Sequence, residues 1–292
     1  MRAICAQHDI TMTTAQSPRP TLVNVGHYEN FPVASVFLPK RLRRPIQAIY
    51  RFARAADDIA DEGDAPADAR LAELEGFREQ LRLLEQGQPP TISLFVELGE
   101  AIRQHGLPFQ LFHDLLDAFA QDCTKKRYAD FGEVMSYCRK SANPIGRLLL
   151  KLYHADTPRN EAYSDGICSA LQIINFLQDV AIDWQKNRVY FPQDEMARHG
   201  IGERQIAEGR SDGLWQVFMR EQIERARKLL AAGAPLGRVL KGRIGFEMRL
   251  IILGGERILY KLHRSHGDMF HQRPKLGPSD WLYMLWRALR KK

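Results

Sequence analysis

Four cysteines in 292 residues, Cys5, Cys123, Cys138 and Cys168, are too few and too scattered for a disulfide framework. No Cys-x-x-Cys pair occurs among them, which excludes the usual structural zinc sites, and a reducing, cytoplasmic setting is expected. There is no run of eighteen apolar residues, so no helix of the ordinary membrane-spanning kind is predicted. The opening MRAICAQHDITMTTAQSPRP lacks the apolar core of a secretory signal; residues 1–20 are expected to be a flexible tail before a single domain over 21–292. Absent too are any glutamate with a histidine three residues on, which a carboxylate-bridged di-iron bundle requires, and any glycine-rich dinucleotide fingerprint.

What is present is a helical pattern. A hydrophobic content of 45% is ample for a buried core, and apolar residues recur at spacings of three and four through most of 33–262. RRPIQAIYRFARAADDIADE reads as a helix ended by Gly63 and Pro66, and further helices are predicted over 67–86, 91–105, 108–122, 130–154, 158–185, 214–232 and 236–264. Helices on short loops, without an internal repeat or a long linker, indicate one all-α domain. A net charge of +7 is compatible with nucleic acid, an anionic membrane surface or a phosphorylated substrate. In the tail SDWLYMLWRALRKK, Trp281, Leu282, Leu285, Trp286 and Leu289 share one helical face against Arg287, Arg290, Lys291 and Lys292. Such a face either lies on a membrane surface or packs on the protein's own body.

Against the basic balance, five acids crowd the stretch Asp57–Asp64. Asp57 and Asp61, four apart, share a helical face, and like charges so placed destabilise an isolated helix by roughly 0.2–0.5 kcal/mol. Their position near the carboxyl end adds the opposition of the helix dipole. The arrangement recurs in LQIINFLQDVAIDWQKNRVYFP, where Asp179 and Asp183 are again four apart, Gln172 and Asn175 extend the face, and Lys186 and Arg188 follow. One such row is an ordinary solvated face. Two rows make sense if they oppose one another and hold divalent cations through oxygen, since magnesium is typically bound by one or two carboxylates together with substrate phosphate oxygens. Arg54, Arg188 and neighbouring lysines would then reach the phosphates.

These motifs resemble the squalene and phytoene synthase family of head-to-head prenyl transferases. FLPKRLRRPIQAIYRFARAADDIAD is similar to the family's first signature and SALQIINFLQDVAIDWQKNRVYFP to its second, and the likeness runs from about Gly26 to Arg273. The resemblance implies an all-α isoprenoid synthase bundle around a central apolar cavity, with Mg2+ and a prenyl diphosphate at its mouth. It implies metal binding by Asp57, Asp61, Asp179 and Asp183, a diphosphate bordered by Arg54, Gln172, Asn175, Arg188 and Tyr190, and Tyr50 and Tyr137 facing the reacting carbons. Tyrosine also packs commonly as an ordinary buried aromatic, which is the alternative for Tyr50 and Tyr137.

Departures from the family pattern bear on the reaction. This chain has His27-Tyr28-Glu29-Asn30-Phe31 where many members carry Ser-x-Ser-Phe, and Gln178 where they carry arginine. Its Tyr137-Cys138-Arg139-Lys140-Ser141-Ala142-Asn143-Pro144-Ile145-Gly146 replaces a small-residue helix. These changes resemble the hydroxysqualene synthase branch of hopanoid biosynthesis, which implies ionisation of presqualene diphosphate and capture of the cation by water, with no reductant. A proline inside a helix frees a carbonyl, so Asn143 and a kink at Pro144 are expected to place that water, unless the kink merely shapes the pocket. Phe31, Phe37, Tyr50, Ile173, Phe176 and Leu177 are the expected lining. The alternatives are synthesis of presqualene diphosphate or squalene from two farnesyl diphosphates, a basic helical nucleic-acid module, and an inactive lipid carrier. Scattered basic residues argue against nucleic acid, while a lipid product makes a peripheral encounter with the inner face of the membrane plausible.

Overall fold

A computed structural model describes residues 39–290. The tail expected over 1–20, the departures at 27–31, and Phe31 and Phe37 therefore lie outside the described residues. The helices are α1 (Lys40–Asp61), α2 (Ala67–Glu85), α3 (Ser93–His105), α4 (Phe109–Thr124), α5 (Phe131–Ser141), α6 (Asn143–Leu152) and α7 (Pro158–Gln178). They continue as α8 (Val180–Gln185), α9 (Gln193–Arg198), α10 (Glu203–Ala207), α11 (Trp215–Gly233), α12 (Leu236–Val239), α13 (Gly242–Arg264) and α14 (Pro278–Leu289). Two short strands, β1 (Arg127–Tyr128) and β2 (Val189–Pro192), pair in parallel with an irregular register. The fold is all-α, as the spacing of apolar residues predicts.

Two apolar clusters organise the packing. One gathers α1 to α4 with part of α6 around Phe52, Phe95, Phe112 and Leu116; the other gathers α5, α7, α11 and α13 around Leu171, Ile174, Phe218 and Leu259. The phenyl rings of Phe52, Phe95 and Phe112 meet edge to face, with Phe52–Phe112 centroids 5.4 Å apart. A third, smaller cluster seats α14 on α13 through Leu250, Leu253, Met284 and Ala288.

Helices α7 and α11 make the most extensive pairing, and glycine allows it. A Cβ on Gly233 would lie 2.4 Å from the Tyr163 carbonyl oxygen and 2.6 Å from Ile167 Cγ1, inside van der Waals contact. Helix α7 is thereby fixed close against a long neighbour before its carboxyl end reaches the second aspartate row.

The acidic end of α1 receives a counter-charge from the next helix. Arg70 of α2 donates from Nη1 to the Ile59 carbonyl (2.8 Å) and from Nη2 and Nε to the carbonyls of Gly63 and Ala65. One guanidinium thus satisfies end-of-helix acceptors and sets a cation against the negative pole of the dipole. Gly63, at φ +73°, makes the left-handed turn that leads there.

Three helices predicted as continuous are divided, the span 236–264 parting at Leu240 and Lys241 between α12 and α13. The span 130–154 breaks at Ala142, with α5 ending at Ser141 and α6 beginning at Asn143. Pro144 therefore occupies the first turn of α6, where its missing N–H satisfies no helical bond, and the mid-helix kink expected there does not form. The span 158–185 breaks at Asp179 (φ −106°, ψ 12°), yet Asp183 N still donates to Asp179 O at 2.8 Å, preserving the four-residue turn. Gly233→Ala should destabilise the fold by about 1–3 kcal/mol, because the facing atom is backbone and cannot rotate away; thermal denaturation of the variant against the parent measures this.

Candidate active site

The first row lies on the last turns of α1. Tyr50, Arg54, Asp57 and Asp61 recur at helical spacing along one face, with Asp58 beside them. Arg54 pairs with Asp58 at 2.6 Å and more distantly with Asp57 at 3.4 Å. Burial, and then the neighbouring charge of Asp61, push the Asp57 carboxyl up to about 6. Burial also opposes the charge on Asp61. There the Arg188 guanidinium, helped by Lys186, prevails and holds the carboxyl below the usual range.

Arg188, 6% exposed, precedes β2 and binds Asp61 through two parallel bonds, Nη1–Oδ2 at 2.9 Å and Nη2–Oδ1 at 2.5 Å. Lys186 Nζ stands 3.2 Å from Asp61 Oδ2. The segment that follows the second row therefore grips the first row directly, and the two aspartate rows belong to one site. Such a bidentate guanidinium–carboxylate pair fixes direction as well as distance.

In the second row the carboxylates differ in their partners. Asp179, at the break between α7 and α8, accepts from Nε and Nη2 of Arg273, the latter at 3.2 Å. Gln178 beside it donates from Nε2 to the Pro274 carbonyl at 2.8 Å, so the segment after α13 is held against the end of α7 and Arg273 is delivered to Asp179. Asp183 has no ion pair among the described residues; burial, with the charge of Asp179 next, pushes its carboxyl up to about 8.

Behind the rows stands an aromatic cluster that spacing alone does not predict. Phe176 and Tyr190 stack with centroids 3.8 Å apart and 6° between planes, and Tyr137 and Tyr128 close around them at 5.5–5.9 Å. At its base lies Asp122 of α4, 4% exposed, with Oδ2 accepting from the Tyr137 hydroxyl at 2.7 Å and Oδ1 from Tyr190 at 3.4 Å. Its main-chain oxygen accepts from Arg188 Nη2 at 3.0 Å. Burial pushes the Asp122 carboxyl up to about 7 against the pull of Arg188, and both tyrosine hydroxyls are raised well above their ordinary range by the same burial and by Asp122.

The structure thus brings together Asp57, Asp61, Asp179, Asp183, Arg54, Arg188, Tyr137 and Tyr190 around one region. Gln172 and Asn175 are half-buried on the α7 turns that lead to Asp179, and Tyr50 is half-buried one turn before Arg54. Ile173, Phe176 and Leu177 are buried in the same stretch of α7. Asn143 is buried elsewhere along that helix: its Oδ1 accepts from Ser169 at 2.9 Å, ten residues before Asp179 and so about 15 Å along the axis. Asp122 and Arg273 escaped the reading of the sequence because each is a single charge far along the chain from its partner, with no spacing to betray it.

A divalent cation fits this chemistry. Asp57 and Asp183 are half-buried acids crowded by like charge, Asp57 with only the distant Arg54 at 3.4 Å and Asp183 with no ion pair among the described residues, the condition that a hard ion on oxygen ligands relieves. Among the described residues no three acidic, histidine or cysteine side chains converge into a ready cage, which suits an ion that takes its remaining oxygens from a phosphate and water.

Comparison with known proteins identifies the family. Residues 25–280 match the Squalene/phytoene synthase family. The chain is 34% identical over 273 residues to a hydroxysqualene synthase of Sinorhizobium fredii, covering 93% of this chain and 90% of that one. To a hydroxysqualene synthase of Rhodopseudomonas palustris it is 35% identical over 263 residues, covering 89% and 88%. The crystal structure of squalene synthase HpnC from Alicyclobacillus acidocaldarius superposes with a TM-score of 0.76 at 32% identity, over 82% of this chain and 90% of that one. With the family matched across nearly the whole described fold and full-length relatives above 30% identity, the chain belongs to the squalene/phytoene synthase family.

Proposed function

We propose that this chain is a hydroxysqualene synthase, converting presqualene diphosphate to hydroxysqualene with release of diphosphate in a magnesium-dependent step of hopanoid-type biosynthesis. The observation that carries the reading is the grip of Arg188 and Lys186, from the segment that follows the second aspartate row, on Asp61 of the first, beside a buried aromatic cluster, in a chain of this family. Asp57, Asp61, Asp179 and Asp183 would hold Mg2+. Bound there, the ion would draw electron density from the diphosphate and ease its departure.

The chain's own residues do the rest. Arg188 stays charged at any working pH and, with Arg54 and Lys186, meets the anion as it leaves with the carbon–oxygen electron pair. Gln172, Asn175 and Tyr190 border it. The rings of Tyr137, Phe176 and Tyr190 offer π-faces to the cation, as Tyr50 would, in an apolar chamber that keeps bulk water out. One admitted water forms the new carbon–oxygen bond and loses a proton. Asn143, whose Oδ1 accepts from Ser169, contributes to that step through its amide nitrogen.

A second reading, condensation of two farnesyl diphosphates to squalene, is favoured by the name squalene synthase carried by the solved relative. It requires a reductant; the first does not. Purified protein given presqualene diphosphate and Mg2+ without NADPH should yield hydroxysqualene and diphosphate, lose this activity to a chelator and regain it with Mg2+. Squalene formed from farnesyl diphosphate only when NADPH is present would replace the first reading by the second.

Asp183 offers a separate test. Its folded carboxyl binds a proton more tightly than an unfolded one, so it weakens the metal-free fold as pH rises from the ordinary carboxylate range through about 8. Asp183→Asn should therefore raise the melting temperature of the metal-free protein at neutral pH while lowering kcat/KM by about 100-fold or more. Calorimetry and product assays on the same preparation read both.

Contact with a membrane surface is also part of this reading. Among the described residues no helix is long and apolar enough to cross a bilayer. On α14, however, Trp281 (42% exposed), Leu282 (71%), Trp286 (48%) and Leu289 (70%) face outward, while Asp280, Met284 and Ala288 face the body. Beside it a groove of about 540 Å³ is lined by Arg257, Lys261, Arg264, Arg273 and Lys275. An aromatic and aliphatic face next to a basic groove suits an anionic lipid surface. Flotation with vesicles containing anionic lipid should capture the protein, and Trp281→Ala with Trp286→Ala should reduce the captured fraction severalfold; capture unchanged by the double variant would remove this part of the proposal.

A further inference from the structure

The proposed reaction uses the aromatic cluster but not the acid beneath it. Asp122 is buried to 4% exposure, and no guanidinium or ammonium meets its carboxyl oxygens among the described residues. Arg188 and Lys126 both donate to its main-chain oxygen, at 3.0 and 2.6 Å. The side chain instead serves two phenols, Tyr137 at 2.7 Å and, more weakly, Tyr190 at 3.4 Å. A buried acid held by hydroxyls alone is an expensive arrangement for packing, and an apolar residue of similar size would fill the space.

What the arrangement supplies is direction. Tyr137 comes from α5, Tyr190 from β2 and Phe176 from α7, so no single element sets the angles between their rings. A phenol can rotate its ring and slide in its plane; a hydroxyl tied to a fixed oxygen cannot. Both tyrosines end on the two oxygens of one carboxyl group, and that group is anchored by its backbone to Arg188, which binds Asp61 of the first row. Asp122 is thus the shared reference between the part of the site that takes the leaving anion and the part that faces the cation. A phenol donating to an acidic group also becomes more electron-rich, which strengthens the attraction of its ring face for a cation.

We propose that Asp122 is a positioning residue for the reaction, orienting Tyr137 and Tyr190 so that the Tyr137–Phe176–Tyr190 rings present their faces to the reacting carbons at a fixed distance from Arg188. The proposal rests on the prenyl diphosphate reading of the site. It assigns Asp122 an effect on the cationic step and little effect on binding of the diphosphate.

The test compares Asp122→Asn, which keeps the volume and one acceptor oxygen, with Tyr137→Phe, which keeps the ring and removes only the hydroxyl. Kinetics with presqualene diphosphate and Mg2+ should show kcat lowered by about 100-fold in Asp122→Asn with KM within about threefold of the parent. The ratio of alcohol to olefin products should shift in both variants. The double variant should be no worse than Asp122→Asn alone, because both remove the same link. An unchanged product ratio with full kcat in Asp122→Asn, or losses that simply multiply in the double variant, would overturn the proposal.

A second readout needs no turnover. With tyrosines labelled at Cζ, Asp122→Asn should shift the NMR resonances of Tyr137 and Tyr190 and leave that of Tyr260, exposed on α13, in place. If the parent protein makes no hydroxysqualene yet those two resonances move, the reaction assignment has failed while the positioning geometry stands. If the resonances do not move, the positioning role itself fails. Should Asp122→Asn not fold, Tyr137→Phe carries the product test, with the resonance of Tyr190 alone as its second readout and no buried amide introduced.

Discussion

The site depends on one guanidinium. Arg188 lies between the carboxylate of Asp61 and the main-chain oxygen of Asp122, with almost no exposure to water, and bonds to both. Its charge cannot be shed, so it keeps Asp61 ionised in a setting where burial would otherwise favour protonation. Because it reaches across from the turn just before β2, after the second aspartate row, to the helix of the first, it ties the segment following one row to the other. Breaking such a buried pair is far more damaging than omitting it from the start, since the surviving charge is left without a partner.

Around that pair the four aspartates divide into two kinds. Asp61 and Asp179 are neutralised from within, by Arg188 with Lys186 and by Arg273. On Asp57 and Asp183, burial and the neighbouring carboxylates oppose ionisation. The protein thus holds half of its acidic cluster in balance and leaves half in deficit, a state that favours the arrival of cations without letting four carboxylates drive the helices apart. The aromatic cluster behind has the opposite requirement, an apolar wall with one acid buried at its foot, and the two environments meet at Arg188.

What the sequence revealed was what is local. Asp57 with Asp61 and Asp179 with Asp183 were legible because a four-residue spacing on a helix is a statement about one face, and it survives even the interruption at Asp179, where the Asp183 N–H still reaches the Asp179 carbonyl. Helix type and order followed from apolar periodicity for the same reason. Pro144 misled because composition says that a proline breaks regularity but not how; the chain ended one helix and began another rather than bending one. Strands of two and four residues are too short to show alternation. Asp122 and Arg273 were invisible for a different reason: their partners lie 15 to 94 residues away, and only the packed fold brings them together.

The bond from Gln178 to the Pro274 carbonyl has a mechanical side. Six residues after Pro274 the chain is pinned again, where Asp280 is clasped by Arg257 and Lys261 at the start of α14. Two anchors so near each other, at most about 20 Å of chain apart, make the intervening stretch a short strap rather than a slack loop. One end of that strap sits beside Asp179 of the second row and the other at the start of the helix that carries the outward-facing tryptophans, so the outer helix and the segment that brings Arg273 to Asp179 are joined by a short length of chain.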